Sequence, residues 1–162
     1  MEQLLPIAEK IAARLKQRNE TIAVAESSAG GLIAAALLAV PGASAYFVGG
    51  GVVYTRKALI AFTRVDENVL REHKPGSEAS ALARARIMRD HLATTWGVSE
   101  GGVAGPTGSR YGYPPGHSCV AVSGPVDMTR TVSTGSADRV ANMYAFASAA
   151  LELLAETLAQ AR

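Results

Sequence analysis

Two short segments of this chain carry the residue types that could do chemistry. The first is Ala25-Glu26-Ser27-Ser28-Ala29-Gly30-Gly31, and the second is Gly102-Val103-Ala104-Gly105-Pro106. Each follows an apolar or β-branched run that reads as a buried strand, and each sets small residues where that strand ends. Glycine allows close backbone approach and positive φ without a Cβ clash. In open α/β sheets, ligands bind beyond the carboxyl ends of the strands. The pair therefore predicts a small-molecule pocket. Ser27 and Ser28 stand at a strand-to-helix turn, where a hydroxyl and helix N-terminal amides can face an anion or a carbonyl. The simpler reading of the same serines is helix capping.

Other residues admit the same double reading. Ser44 follows Pro41-Gly42-Ala43 in a turn, Tyr54 ends a strand, and Arg56 and Lys57 open the next helix. Cations in a first helical turn are disfavoured by the helix dipole, which raises the case for a ligand contact there, although a solvated surface charge is the simpler reading of each residue. Glu100 falls within an apolar strand, either as an edge residue or as a pocket carboxylate. Arg110 and Arg139 are further candidates for a phosphate. His73, His91 and His117 show no metal-ligand spacing, and no metal or cofactor is expected. Cys119 is the only cysteine, so a thiolate metal site and an intrachain disulfide are excluded.

The elements that must position these residues follow from pattern. Leu4 to Leu15 has helical periodicity, and Thr21 to Ala25 is a short buried strand. Gly30 to Leu38 reads as a buried helix stopped by Pro41-Gly42. Tyr46 to Tyr54 reads as a strand with Gly49-Gly50-Gly51 at its centre, and Thr55 as the N-cap of a short helix. Ser77 to Trp96 is expected as a long helix and Gly97 to Val103 as a strand. Residues 104–116 form an irregular loop. His117 to Ser123 and Thr129 to Thr134 pair as a hairpin, and Ala137 to Ala161 forms a final helix. The alternation predicts one α/β domain over residues 1–162: a three-layer α/β/α sandwich, mainly parallel with an antiparallel hairpin.

Composition narrows the function classes. The chain has 162 residues, 48% hydrophobic and 19% charged, with a net charge of +2. Its basic residues are dispersed with little aromatic interleaving, which argues against nucleic-acid binding. The run Leu32 to Val40 is too short to cross a bilayer. The N-terminal residues lack a basic, cleavable leader pattern, so a cytoplasmic location is expected.

Taken in order, the motifs resemble the CinA carboxy-terminal domain family, of the nicotinamide mononucleotide deamidase type. Residues 25–31 resemble the family's A-E-S-C-T-G-G. Pro41-Gly42-Ala43-Ser44-Ala45-Tyr46-Phe47 resembles P-G-S-S-x-x-F. Gly51-Val52-Val53-Tyr54-Thr55 resembles G-x-V-x-Y-S, and His73 with Ser77-Glu78 is similar to H-G-x-V-S-E. Gly102 to Pro106, with Pro115-Gly116, is similar to G-I-A-G-P…P-V-G. The resemblance implies hydrolysis of the carboxamide of nicotinamide mononucleotide without a metal. Ser44 would be the nucleophile, Tyr54 would orient it, and Lys57 would be a candidate base. Glu26, Ser27, Ser28, Gly30, Gly31, Gly105, Pro106, Thr107 and His117 would line the substrate site.

The sequence departs from the family where the base should stand. The family lysine, five residues after the tyrosine, is Leu59 here. Lys57 is rotated about 200° from that position on a helix. Ala29 lacks the family's hydroxyl, His117 replaces a threonine, and Glu100 interrupts the usually apolar strand. Two classes of function follow: an amidohydrolase with a relocated base at Lys57, His117 or Glu100, or a silent paralogue that binds a nucleotide-like ligand. The apolar helices also predict a homo-oligomer.

Overall fold

The computed structural model describes residues 1–161. Helix α1 (Leu5–Arg18) leads into β1 (Ile22–Glu26), α2 (Leu32–Leu38) and β2 (Phe47–Val52). Three helices follow: α3 (Arg56–Thr63), α4 (Glu67–Arg71) and α5 (Glu78–His91). The chain then forms β3 (Trp96–Val103), β4 (His117–Ser123), β5 (Met128–Ser133) and α6 (Arg139–Gln160). The five strands form one sheet in the order β2-β1-β3-β4-β5. β1 is parallel to β2 and to β3, whereas β3–β4 and β4–β5 are antiparallel. The sheet is thus mixed, with parallel pairing confined to β2, β1 and β3. The expected hairpin is β4–β5.

Helices cover both faces. On one face α1, α2 and α6 pack together over β1, β3 and β4, with Leu4, Ile11, Leu15, Ile33, Trp96, Val120, Leu151 and Leu154 fully or almost fully buried. On the other face α5 crosses β1, β3 and β4, and α3 and α4 pack beside it through Leu59 and Leu70, which cluster with Met88 of α5. β1 is buried along its whole length because both helix layers cover it. β2 alternates half-buried and exposed residues because it is an edge strand.

Local chemistry sets the boundaries. The hydroxyl of Thr55 accepts from the amide of Ala58 to start α3, and Ser77 caps α5 by accepting from Ser80. Asn19, in the left-handed region, ends α1. The helix expected to run to Trp96 stops at His91. Ala93 takes a positive φ of 52°, and Trp96 pairs with Ile22 as the first residue of β3. Its indole Nε1 donates to Glu20 at 2.8 Å. β2 ends at Val52, which leaves Tyr54 in the loop beyond it.

The seat of α5 on β3 depends on Gly97. A Cβ there would lie inside van der Waals contact of the Ala85 carbonyl and 2.8 Å from the Arg89 Cβ. A second clamp is Glu78, in the first turn of α5, which accepts hydrogen bonds from Thr129 (2.6 Å) and Thr131 (2.7 Å) on β5. These hydroxyls hold the Glu78 carboxyl below its ordinary value.

Two outcomes follow. Gly97→Ala should destabilise the fold by about 1–3 kcal/mol, the usual cost of overpacking, as measured by urea unfolding. Glu78→Gln should lower stability at neutral pH. A carboxyl with a depressed folded pKa stabilises above its unfolded pKa, and that contribution fades as pH falls through the folded value. The difference between wild type and variant should therefore shrink as pH drops below about 4. Unfolding curves at several pH values check this.

Candidate functional site

β1 continues into α2, whose chain leads on to β2. β3, on the other side of β1, is followed by β4 on its own far side. The chain thus leaves the adjacent strands β1 and β3 in opposite directions, which is where open α/β sheets form a ligand crevice. Here that crevice is filled from within. The fully buried Glu100 side chain, on β3, accepts from the amides of Ser27 (3.1 Å) and Ala29 (2.8 Å). It also accepts from the hydroxyls of Ser28 and Ser118.

A second carboxylate occupies the neighbouring amides. Glu26 accepts from Gly31 (2.9 Å), Ile33 (3.1 Å) and Ala34 (2.8 Å) at the start of α2. Burial pushes the Glu26 carboxyl up from its ordinary value, and the three amides oppose that shift. Gly31, with φ of 100°, gives the chain the turn that aims these amides at Glu26.

The loop expected to face a ligand therefore satisfies the protein's own carboxylates. The amides of Ser27, Ala29 and Gly31 are engaged, Ser28 is buried, and Gly30 donates to the Ser27 carbonyl. Glu100 is not an edge residue, the first of the two readings its sequence position allowed. It sits on the middle strand of five, and burial is tolerated because four donors surround its oxygens.

The open cavity lies beside this crevice, on the α3–α5 side. It encloses about 350 Å³ and is lined by Tyr54, Thr55, Arg56, Leu59, Leu70, Pro75, Ser80, Arg84, Arg110 and Tyr111. Leu59, at the family lysine position, is only 2% exposed and packs with Ala23, Ala25, Val53 and Met88 as an apolar wall. Lys57 is exposed and lines a neighbouring depression with Arg56, Ile60, Ala61 and Glu67, and Arg56 borders both spaces. The two sides of α3 thus separate Lys57 from the cavity, as the helical rotation requires.

Arg84, on α5, is the residue that sequence reasoning missed. Its Nη2 donates to the Val53 carbonyl at 2.7 Å, while its buried Nε has no partner. No carboxylate of the described residues lies within ion-pair distance of it. Burial pushes the guanidinium down from its ordinary value, and the charge of Glu100 opposes that shift. An arginine on a helix otherwise rich in Ala and Arg gives no sequence signal. Only the packing of α5 against β1 and β3 turns this one inward.

The remaining named residues are scattered. Ser44 is exposed in a single 3-10 turn before β2, whereas Tyr54 follows its end. Six strand residues at about 3.3 Å each place them on opposite rims of the sheet. Tyr54 lies 3.5 Å from Arg139 Nη2, and Arg139 Nη1 donates to the Gly105 carbonyl at 2.6 Å. Pro106 and Thr107 are exposed beyond a cis Gly105–Pro106 bond. His117 does not line the cavity. It stacks on Tyr113 at 4.0 Å and places Nε2 2.7 Å from the Gly76 carbonyl, pinning the 104–116 loop to the start of α5. Cys119 is buried, with Sγ 3.1 Å from the same carbonyl. Among the described residues no group of three His, Cys, Asp or Glu side chains gathers to hold a metal.

Replacing Glu100 tests the plug. Glu100→Leu strands two buried amides and should cost at least about 3 kcal/mol. Glu100→Gln retains one acceptor oxygen and should cost about half of that. Amide hydrogen exchange at Ser27 and Ala29 should accelerate in the leucine variant.

Comparison with known proteins places the chain. Residues 4–158 match the family model for the CinA C-terminal domain. A CinA-like protein of Myxococcus xanthus is 44% identical over 147 residues, and one of Salinibacter ruber is 42% identical over 144. Each alignment covers 89% of this chain, which spans about a third of those relatives' length (34% and 35%). The competence/damage inducible protein CihA of Agrobacterium tumefaciens superposes with a TM-score of 0.87 at 28% identity, over 97% of this chain and 96% of that one. The competence damage-inducible protein A of Klebsiella pneumoniae gives a TM-score of 0.89 at 25% identity, over 98% and 99%. The five-stranded α/β fold, its ordered motifs and these relatives agree: the chain belongs to the CinA C-terminal domain family.

Proposed function

We propose that this domain binds a nucleotide-like small molecule of the nicotinamide mononucleotide kind and does not hydrolyse its carboxamide. The observation that carries this reading is Leu59. A serine amidase needs a base within hydrogen-bond reach of its nucleophile. The cavity wall at the family lysine position is an apolar side chain, 2% exposed, and Lys57 faces away from it. His117 is engaged with Gly76 and Tyr113, and Glu100 is closed off by four donors. What remains suits binding: aromatic faces at Tyr54 and Tyr111, an apolar floor at Leu59 and Leu70, and guanidinium groups.

The second reading is the deamidase itself, favoured by family membership and by Tyr54 at the cavity rim. In one chain Ser44 stands at the far end of β2, so hydrolysis here requires the Ser44 of a second copy. β2 is an edge strand, and its exposed Val48 and Val52, with the exposed Leu38 at the end of α2, offer apolar surface that supports the expected homo-oligomer.

Calorimetric titration with nicotinamide mononucleotide, run beside an ammonia-release assay, separates the readings. Binding with no ammonia above the protein-free control is expected. Tyr54→Ala should weaken binding roughly three- to tenfold by removing an aromatic contact. Ammonia release that disappears in Ser44→Ala would overturn the proposal and restore the amidohydrolase.

A further inference from the structure

We infer that Arg84 is the anchor that selects the ligand's charge, and that the group it takes is a phosphate monoester. This rests on the binding reading above and assigns the residue that gives the cavity its specificity.

Three features support it. First, the cavity lining is unbalanced in charge. Arg84, Arg56 and Arg110 all border it, and none of its lining residues is acidic. Three guanidinium groups around about 350 Å³ suit a dianion better than a neutral ligand. Second, Arg84 makes no ion pair with the described residues. The charge of Glu100 acts on it from beyond ion-pair distance, while the Glu100 oxygens accept from Ser27, Ser28, Ala29 and Ser118. Arg84 itself makes one hydrogen bond, to the Val53 carbonyl, and keeps a buried N–H unpartnered. Unpartnered buried polar groups are rare and mark strain or function. Third, the space is kept for it. A Cβ at Gly101 would stand 3.4 Å from Arg84 Nη1, at ordinary van der Waals contact, so the small residue there leaves the guanidinium uncrowded over β3.

The buried cation of this cavity thus comes from α5, while the buried α3 position that faces the same space is Leu59. The exchange has a chemical consequence. A lysine can lose its proton and act as a base, but a guanidinium stays protonated. Positive charge on Arg84 can hold an anion and cannot activate a hydroxyl. The aromatic rim at Tyr54 and Tyr111 then faces the ring end of the same ligand.

The test uses the whole chain and three probes: nicotinamide mononucleotide, its dephosphorylated nucleoside, and inorganic phosphate. Affinities are measured by calorimetry at fixed ionic strength. Wild type is expected to bind the nucleotide more tightly than the nucleoside, with phosphate competing. Arg84→Met should weaken nucleotide binding roughly 10- to 100-fold and leave nucleoside binding unchanged, as expected for losing charged hydrogen bonds. Arg84→Lys, which keeps the charge without the planar fork, should fall between. Arg86→Met removes the same charge from α5 outside the cavity and should have no effect. Arg84→Met removes the unpartnered buried Nε–H and also the hydrogen bond to the Val53 carbonyl; a cooperative melt together with unchanged nucleoside binding separates lost phosphate binding from lost folding. Equal nucleotide affinity in wild type and Arg84→Met would overturn the role of Arg84 while leaving the binding reading intact. A wild type that binds none of the three probes would overturn both.

Discussion

The rest of the structure depends on a buried carboxylate in the middle of the sheet. Glu100 reaches from β3 to the loop after β1 and accepts two backbone amides and two hydroxyls. A buried carboxylate survives only with such a full set of donors. Glu26 performs the same service one turn later, at the start of α2. Together the two side chains fix the 26–34 segment against the central strands. They also remove from ligand binding the amides that a strand-to-helix loop would otherwise offer. The ligand space is displaced toward α3 and α5, where its walls are apolar and its charge comes from arginine.

The fold was legible in the sequence because its signals are local and repeated. Apolar runs marked the strands, Thr55 and Ser77 marked helix starts, and Ala-rich periodic stretches marked the helices. The misplaced boundary at the end of α5 has a specific cause. Leu92 and Trp96 continue the apolar pattern of the helix, but Ala93 turns the chain and Trp96 enters the sheet. Sheet order and the antiparallel sense of β3–β4 depend on pairings between distant residues, which no local pattern reveals.

The candidate site was less legible, because what a polar group does depends on what meets it in space. Ser27, Ser28 and Gly31 were recognisable as a strand-end loop, yet nothing local says that Glu100, more than seventy residues later, engages the amides of Ser27 and Ala29 and the hydroxyl of Ser28. Ser44 and Tyr54 are close in sequence, but the extended strand between them carries them to opposite rims. Arg84 lies among several similar residues on α5, and its inward position is set by the close packing of α5 on β3 at Gly97. The departure at Leu59 was visible in the sequence. The structure adds that the position faces the cavity as an apolar wall, and that a cation stands across the same space on another helix.

What the family motifs suggest falls into two parts: a scaffold that is retained, and a loop whose donors serve the protein itself. A crystal structure of the chain with nicotinamide mononucleotide bound tests that division most directly. The account predicts the phosphate beside Arg84, the ring against Tyr54 and Tyr111, and Glu100 still seated on the amides of Ser27 and Ala29. A phosphate lying on those amides, with Glu100 displaced, would contradict it.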